Sequence, residues 1–264
     1  MLELKNISKT FNAGTVNQKV ALNGLNLTMN EGDFVTVIGG NGAGKSTMLN
    51  AIAGVFQVDT GKILIDGVDV TALPEYKRAK YIGRVFQDPM MGTAATMQIE
   101  ENLALAARRG KPRTLRPGIT KADREFYKEQ LRILDLGLED RMTTKVGLLS
   151  GGQRQALTLL MATLQQPKLL LLDEHTAALD PRTAAKVLDL SDRIVQEHGL
   201  TTLMITHNMK DAIAHGNRLI MRDAGQIVVD VSGEEKKKLT VPDLLAMFSR
   251  ASGSDEASDK MLLS

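Results

Sequence analysis

The chain has 264 residues, 43% of them hydrophobic and 24% charged, enough for one large globular domain or two small ones around a buried core. A formal net charge of only +2 and 3% aromatic residues argue against the basic footprint and the stacking platforms by which proteins hold nucleic acids, so no nucleic-acid partner is expected. There is no cysteine to staple a secreted fold, residues 1–6 lack the apolar core of a signal peptide, and the longest apolar runs fall far short of the roughly 20 residues needed to cross a bilayer; a cytosolic location is expected.

Residues 2–7 alternate, and residues 21–28 place apolar side chains at every other or nearby position, as half-buried antiparallel strands do. Turn-like breaks at Asn12-Ala13-Gly14 and Asn30-Glu31-Gly32-Asp33 close these two segments. Residues 34–38 are a short β-branched run that ends at glycines and reads as a buried parallel strand, with a helix beginning near Lys45. Residues 62–67 and 81–86 predict two further strands. From about 88 to 166 the period changes: Ile99, Leu103 and Leu105, then Leu131, Ile133, Leu134 and Leu136, recur at helical spacing, which predicts a mostly helical block. Residues 168–173 and 201–206 are again strand-like and flank a helical stretch over 182–198, the strand-helix-strand pattern of a parallel sheet. Residues 218–222 and 226–231, joined through Asp223-Ala224-Gly225, predict a closing hairpin. Lys236-Lys237-Lys238 reads as a surface element, and residues 251–264, rich in Ser, Gly, Asp and Lys, as a disordered tail.

Gly39-Gly40-Asn41-Gly42-Ala43-Gly44-Lys45-Ser46-Thr47 fits the phosphate-binding pattern GxxxxGK[ST], placed between a strand and a helix. Its glycines let the backbone curl around an anion while the following helix points its positive end at the phosphates. Lys45 adds a cation, and the Ser46 hydroxyl suits Mg²⁺, which prefers oxygen ligands. Asp173 ends the apolar run 169–172, where its carboxylate can orient a magnesium-bound water. Glu174, next in line, can polarise the attacking water as a general base, a role that typically contributes about 10² to 10⁴-fold. Taken singly, either acid reads as a salt bridge or a helix cap. Leu149-Ser150-Gly151-Gly152-Gln153 opens a helix running to about Leu164: Ser150 can cap it, and the glycines bare its N–H groups to a second anion.

In this order and spacing, the stretches 39–47, 149–153 and 169–174 resemble the ATP-binding-cassette (ABC) ATPases, and the resemblance covers about residues 1–230. It implies an α/β P-loop NTPase fold, a RecA-like parallel sheet with an antiparallel β subdomain and a helical subdomain. The expected division is a catalytic core over 1–86 and 167–250 and a helical subdomain over 87–166. Gln87 matches the family's glutamine between subdomains, whose amide oxygen reaches Mg²⁺; His207 matches its switch histidine, near the γ-phosphate. Phe11 stands where the family keeps an aromatic to stack on adenine, the other reading being a core phenylalanine. Ser150, Gly151, Gly152 and Gln153 match the signature that closes over the ATP of a partner subunit, and Asp180 matches the loop crossing that interface, so a dimer is implied. His175 departs from the pattern, since proline is usual after the catalytic glutamate.

The resemblance further implies an ATP hydrolase on the inner face of the cell membrane, docked on separate permease subunits and served by an extracellular solute-binding protein. Residues 83–88 and 147–181 look like ATPase subunits of Gram-positive importers of aromatic or branched-chain amino acids. Met90, Met91 and Met97 fit either an adaptable permease-docking surface or core filling. Arg108, Arg109, Lys111, Arg113 and Arg116 fit either a solvated loop or one that faces lipid headgroups. The rival reading is a soluble ABC ATPase of an iron-sulfur cluster scaffold. Long coiled coils, as in chromosome-maintenance ATPases, and a second cassette, as in ribosome-acting members, are both missing from the sequence.

Overall fold

A computed structural model describes residues 1–111 and 117–252. Two strands open the chain, β1 (Leu2–Phe11) and β2 (Lys19–Met29), followed by β3 (Phe34–Ile38) and α1 (Lys45–Ala53). Then come β4 (Thr60–Ile65), β5 (Val68–Asp69), the single turn α2 (Glu75–Arg78) and β6 (Ile82–Val85). The middle of the chain is helical, with α3 (Ile99–Ala107), α4 (Lys121–Arg132) and α5 (Gly151–Thr163). After it the strand-helix pattern resumes in β7 (Leu169–Asp173), α6 (Pro181–His198), β8 (Thr201–Ile205) and α7 (Met209–Ala214). The hairpin β9 (Arg218–Asp223) and β10 (Gln226–Ser232) is followed by α8 (Gly233–Lys237) and α9 (Val241–Ser252).

The strands form two sheets. One is antiparallel, in the order β2-β1-β4-β5; the other runs β10-β9-β3-β8-β7-β6, parallel throughout except for the antiparallel edge pair β10 and β9. The strands β3 and β8 are buried along their whole length, which is why they read as unbroken apolar or β-branched runs rather than alternating ones. A single apolar cluster fills the space between the sheets: Leu4, Leu25 and Ile63 of the antiparallel sheet meet Val35, Leu171 and Leu203 of the parallel one across α1. A second cluster lies on the opposite side, where Leu157 and Leu160 of α5, Leu190 and Ile194 of α6, and Leu103 of α3 cover Leu170 and Leu172. A third holds the C-terminal helices, with Leu244 and Phe248 against Leu219 and Met221.

The helical spacing of 131–136 does not persist. Helix α4 ends at Arg132, and Asp135 and Gly137 take left-handed φ of +54° and +65°, which turn the chain out of the helix. The basic triplet 236–238 is not a surface element throughout: Lys236 is 2% exposed, and its Nζ donates to the carbonyls of His215 and Gly216 just past α7. The long apolar stem of lysine packs easily, and the two carbonyls satisfy its head; burial lowers its pKa to about 8. Helix α9 was not among the expected elements and runs past the boundary at 250. Residues 253–264 of the expected tail, and Arg113 and Arg116 of the basic stretch, lie outside the described residues.

Candidate functional site

Because β3, β6, β7 and β8 are parallel neighbours, the segments after them emerge along one edge of the sheet. The glycine-rich loop follows β3. Gly39 has φ +151°, and a Cβ there would lie 2.3 Å from the Arg222 carbonyl oxygen; Gly44 has φ +85°, and its Cβ would lie 2.3 Å from the Ala21 carbonyl oxygen. Gly40 differs, with open space around it and no left-handed φ. No side chain caps α1 and no acid stands in its first turn, so its leading N–H groups face the loop without a side-chain acceptor. Lys45 is buried, and its Nζ donates to the carbonyls of Gly39 at 2.5 Å and Gly40 at 3.4 Å. Burial lowers its pKa, with Arg222 adding to the fall and Glu174 and Asp173 opposing it.

The loop forms one wall of a cavity of about 290 Å³, lined also by Phe11, Lys19 and Ala21 of the antiparallel sheet and by Glu174. Asn41, Gly42 and Ser46 are exposed, while Ala43 and Gly44 are buried in the loop. Thr47 lines the same cavity. Phe11 packs edge-on against Phe56, ring centroids 5.3 Å apart, and stays only half-buried, so it is not a core phenylalanine.

At the end of β7, Asp173 accepts from Arg84 Nη2 at 3.2 Å, and the same nitrogen lies 2.6 Å from Asn50 Oδ1. Burial raises the Asp173 pKa and the Arg84 cation opposes that rise. Glu174 has φ +46°, an unusual value for a side-chain-bearing residue, and its N–H donates to the Ile205 carbonyl at 3.0 Å. That kink turns the carboxylate toward β8, where His207 Nδ1 lies 3.7 Å from Glu174 Oε2. Gln87 is exposed just past β6, whose Val85 pairs with Leu172, one residue before Asp173. His175 is buried, with Nε2 3.0 Å from Ser191 Oγ of α6, and Ser191 Oγ donates to the Val187 carbonyl.

The second glycine element lies elsewhere. Ser150 caps α5 by accepting from the Gln153 N–H at 3.3 Å while Gln153 Oε1 accepts from the Ser150 N–H at 3.2 Å. Gly152 lets α5 approach α6 closely: a Cβ there would lie 2.2 Å from Thr183 Cγ2. Ser150, Gly152 and Gln153 line a separate cavity of about 610 Å³ with Thr183 and Lys186 of α6, and share no residue with the cavity at the phosphate loop. Asp180 caps α6 by accepting from the Thr183 N–H at 3.1 Å, and hydrogen bonding from the Thr183 side chain and then from its backbone lowers the Asp180 pKa.

Arg84 and Arg222, both placed against the phosphate loop or its acids, match no motif in the sequence. Each stands in a strand, where an arginine among apolar neighbours is the one local sign of a buried partner.

The model of the ABC transporter family matches residues 22–177, more than half of the chain. The chain belongs to the ABC transporter family. A tyrosine transport ATP-binding protein of Clostridioides difficile is 45% identical over 95% of this chain and 100% of its own length. A phosphonates import ATP-binding protein of Lactobacillus johnsonii is 34% identical over 97% of this chain and 100% of its own. Among solved structures, the dimeric post-hydrolysis state of the ATP-binding cassette MJ0796 with ADP and Pi superposes with a TM-score of 0.75 at 31% identity, covering 88% of this chain and 98% of that one. The ADP conformation of the cassette MJ1267 gives 0.76 at 27% identity, covering 94% and 98%. The cassette is therefore an ATP-binding and ATP-hydrolysing subunit with the P-loop NTPase fold, and no described helix is long and apolar enough to cross a membrane. Its residues fit a nucleotide: a loop whose close backbone approaches leave no room for a Cβ at Gly39 or Gly44, an uncapped helix start, and a buried lysine in the loop.

Proposed function

We propose that this cassette drives import of a small solute, an amino acid of the aromatic type, by binding and hydrolysing ATP as a pair of subunits beneath separate membrane permeases. The observation that carries the reading is the convergence of the phosphate loop, Asp173, Glu174 and His207 on one sheet edge, with Glu174 lining the cavity of the loop. Gly39, Gly40, Asn41, Gly42, Ala43 and Gly44 wrap the phosphates, Lys45 and Thr47 contact them, and Phe11 stacks on adenine. Ser46, Gln87 and Asp173 would hold Mg²⁺, which would neutralise phosphate charge there. Lys45 exchanges its loop carbonyls for phosphate oxygens. Glu174 takes the proton of the attacking water and His207, within 3.7 Å of it, holds the geometry. The core comprises residues 1–86 and 167–250, and 87–166 form the helical subdomain.

Ser150, Gly151, Gly152, Gln153 and Asp180 act on the nucleotide of the partner, because within one chain they stand outside the phosphate cavity. Met90 and Met91 are exposed rather than core-filling, which suits the permease-docking role. The amino-acid assignment rests on the relative named for tyrosine transport. An extracellular solute-binding protein completes the system, and the cassette sits peripherally on the inner face of the membrane. The C. difficile and L. johnsonii relatives are named for transport and import, which favours this reading over an iron-sulfur scaffold. Two measurements test it. Glu174→Gln is expected to cut ATP turnover at least about 10²-fold and to accumulate an ATP-loaded dimer on size exclusion. The parent chain should co-purify with permease subunits in detergent; recovery only in a soluble scaffold complex would overturn the transport assignment.

A further inference from the structure

Two arginines in this chain are buried equally deeply and treated differently. Arg78 is 1% exposed, and every nitrogen of its guanidinium is used: Nη1 donates to Ala51 and Ile52 carbonyls at 2.7 and 2.8 Å, Nε to Leu73 at 2.8 Å and Nη2 to Thr71 at 2.9 Å. Arg222 of β9 is 0% exposed and donates through Nη1 to the Gly44 carbonyl, whereas Nε and Nη2 have no hydrogen-bond partner among the described residues. Burial lowers its pKa to about 10, with no acidic side chain holding it up, so it is a cation at neutral pH. A buried charge without a counter-charge is destabilising, and selection for stability alone favours an apolar residue there.

The position of that charge suggests its use. Its hydrogen bond ends on Gly44, the residue before Lys45, and its own carbonyl occupies the space that the missing side chain of Gly39 leaves. Its charge also helps lower the pKa of Lys45. Arg222 therefore grips both ends of the phosphate loop from behind, in a medium where charge is weakly screened. We propose that Arg222 is a second cation of the nucleotide site, acting on the phosphates through the loop it supports, and that its unpaired charge is compensated when a polyphosphate fills the cradle. The proposal rests on the ATP-binding reading and adds a residue that no phosphate-loop pattern contains.

The test compares Arg222→Met, similar in length and uncharged, with Arg222→Lys and the parent. Two quantities are read: the melting temperature of the nucleotide-free protein, and the Kd for ADP and for inorganic tripolyphosphate by calorimetry. Arg222→Met is expected to melt about 2–6 °C higher without ligand while weakening both ligands about tenfold, or about 1.4 kcal/mol. Arg222→Lys, which keeps the charge, is expected to stay within about threefold of the parent in both affinities. A merely structural strut moves stability and affinity down together, so a lower melting temperature in Arg222→Met, or unchanged affinities, would overturn the inference. Should Arg222→Met not fold, Arg222→Lys decides alone: a loss beyond about tenfold means that geometry rather than charge is at work. A parent that binds neither ligand sinks the ATP reading itself, whereas a parent that binds them no better than Arg222→Met sinks only the role of Arg222.

Discussion

The glycines of the phosphate loop divide by physical requirement. Gly44 needs its left-handed φ and the 2.3 Å approach of the Ala21 carbonyl, while Gly40 has neither constraint and leaves space at the mouth of the cavity. Gly44→Ala is accordingly expected to lower stability by about 2 kcal/mol or more, and Gly40→Ala to stay within about 0.5 kcal/mol of the parent in urea unfolding. Equal losses at the two positions would contradict this assignment. His175 makes a second residue-scale prediction. Burial, aided by the charge of His215 and opposed by Asp192, pushes its pKa down from 6.5 to about 4. Between these values the unfolded chain binds a proton that the folded one does not, so this stability is whole above pH 6.5 and is lost as pH falls toward 4. His215 has the opposite sign: its hydrogen bond to Asp192 raises its pKa, so its contribution is whole below 6.5 and lost as pH rises through the folded value. Between pH 6.5 and 5 the parent should lose about 1.5 kcal/mol through His175, and His175→Gln, unfolded by urea at both pH values, should lose that much less. An identical slope in the two proteins would assign the acid sensitivity to other groups.

At the scale of elements, the junction of α5 and α6 depends on one missing methyl. Gly152 has no left-handed φ; its need is space, because its Cβ would meet the Cγ2 of Thr183, a β-branched side chain with little rotameric freedom. Gly152→Ala is expected to cost about 1–3 kcal/mol in thermal or urea unfolding, and Gly152→Ala with Thr183→Ser, which removes Cγ2, to recover most of it. If the double variant is as unstable as the single one, the contact is not the cause. The same junction shows what local sequence encodes and what it omits. The cap Ser150 with Gln153, the helix start at Lys45 and the buried strands β3, β7 and β8 are short-range features, and their residues announce them. The first strands are harder to delimit, because β1 carries register shifts between Leu4 and Ile7 and between Ile7 and Lys9, which break the alternation that marks a strand. Helix α9 does carry a local sign: Thr240 and Asp243 form a reciprocal cap, the Thr240 N–H donating to Asp243 Oδ2 at 2.9 Å, but so short a pattern is easily passed over beside a basic triplet and a polar tail. Burial of Lys236 leaves none, since its carbonyl acceptors lie 20 and 21 residues away.

In the whole molecule, the readable motifs are each complete within a few consecutive residues, whereas Arg84 and Arg222 reach partners 89 and 178 residues distant, a pairing that only the folded sheet creates. The two phosphate-directed elements remain apart even after folding, each lining its own cavity, which makes a single chain an incomplete site under the proposed reading. Complementation tests this directly. Lys45→Ala removes the loop cation; Gly151→Asp places an acid in the first turn of α5, where it suits the helix dipole and so spares the fold, but repels a phosphate brought to that helix end. Each variant alone should lose ATP turnover, since every site in its dimer carries the defect. Mixed in equal amounts and allowed to exchange, half of the pairs combine one of each, and every such pair holds one site with both defects and one with neither. Turnover should therefore return to about a quarter of the parental value. Were the loop and the α5 start of one chain to serve the same nucleotide, the mixture would stay as inactive as its parts, because no chain in it has both elements intact.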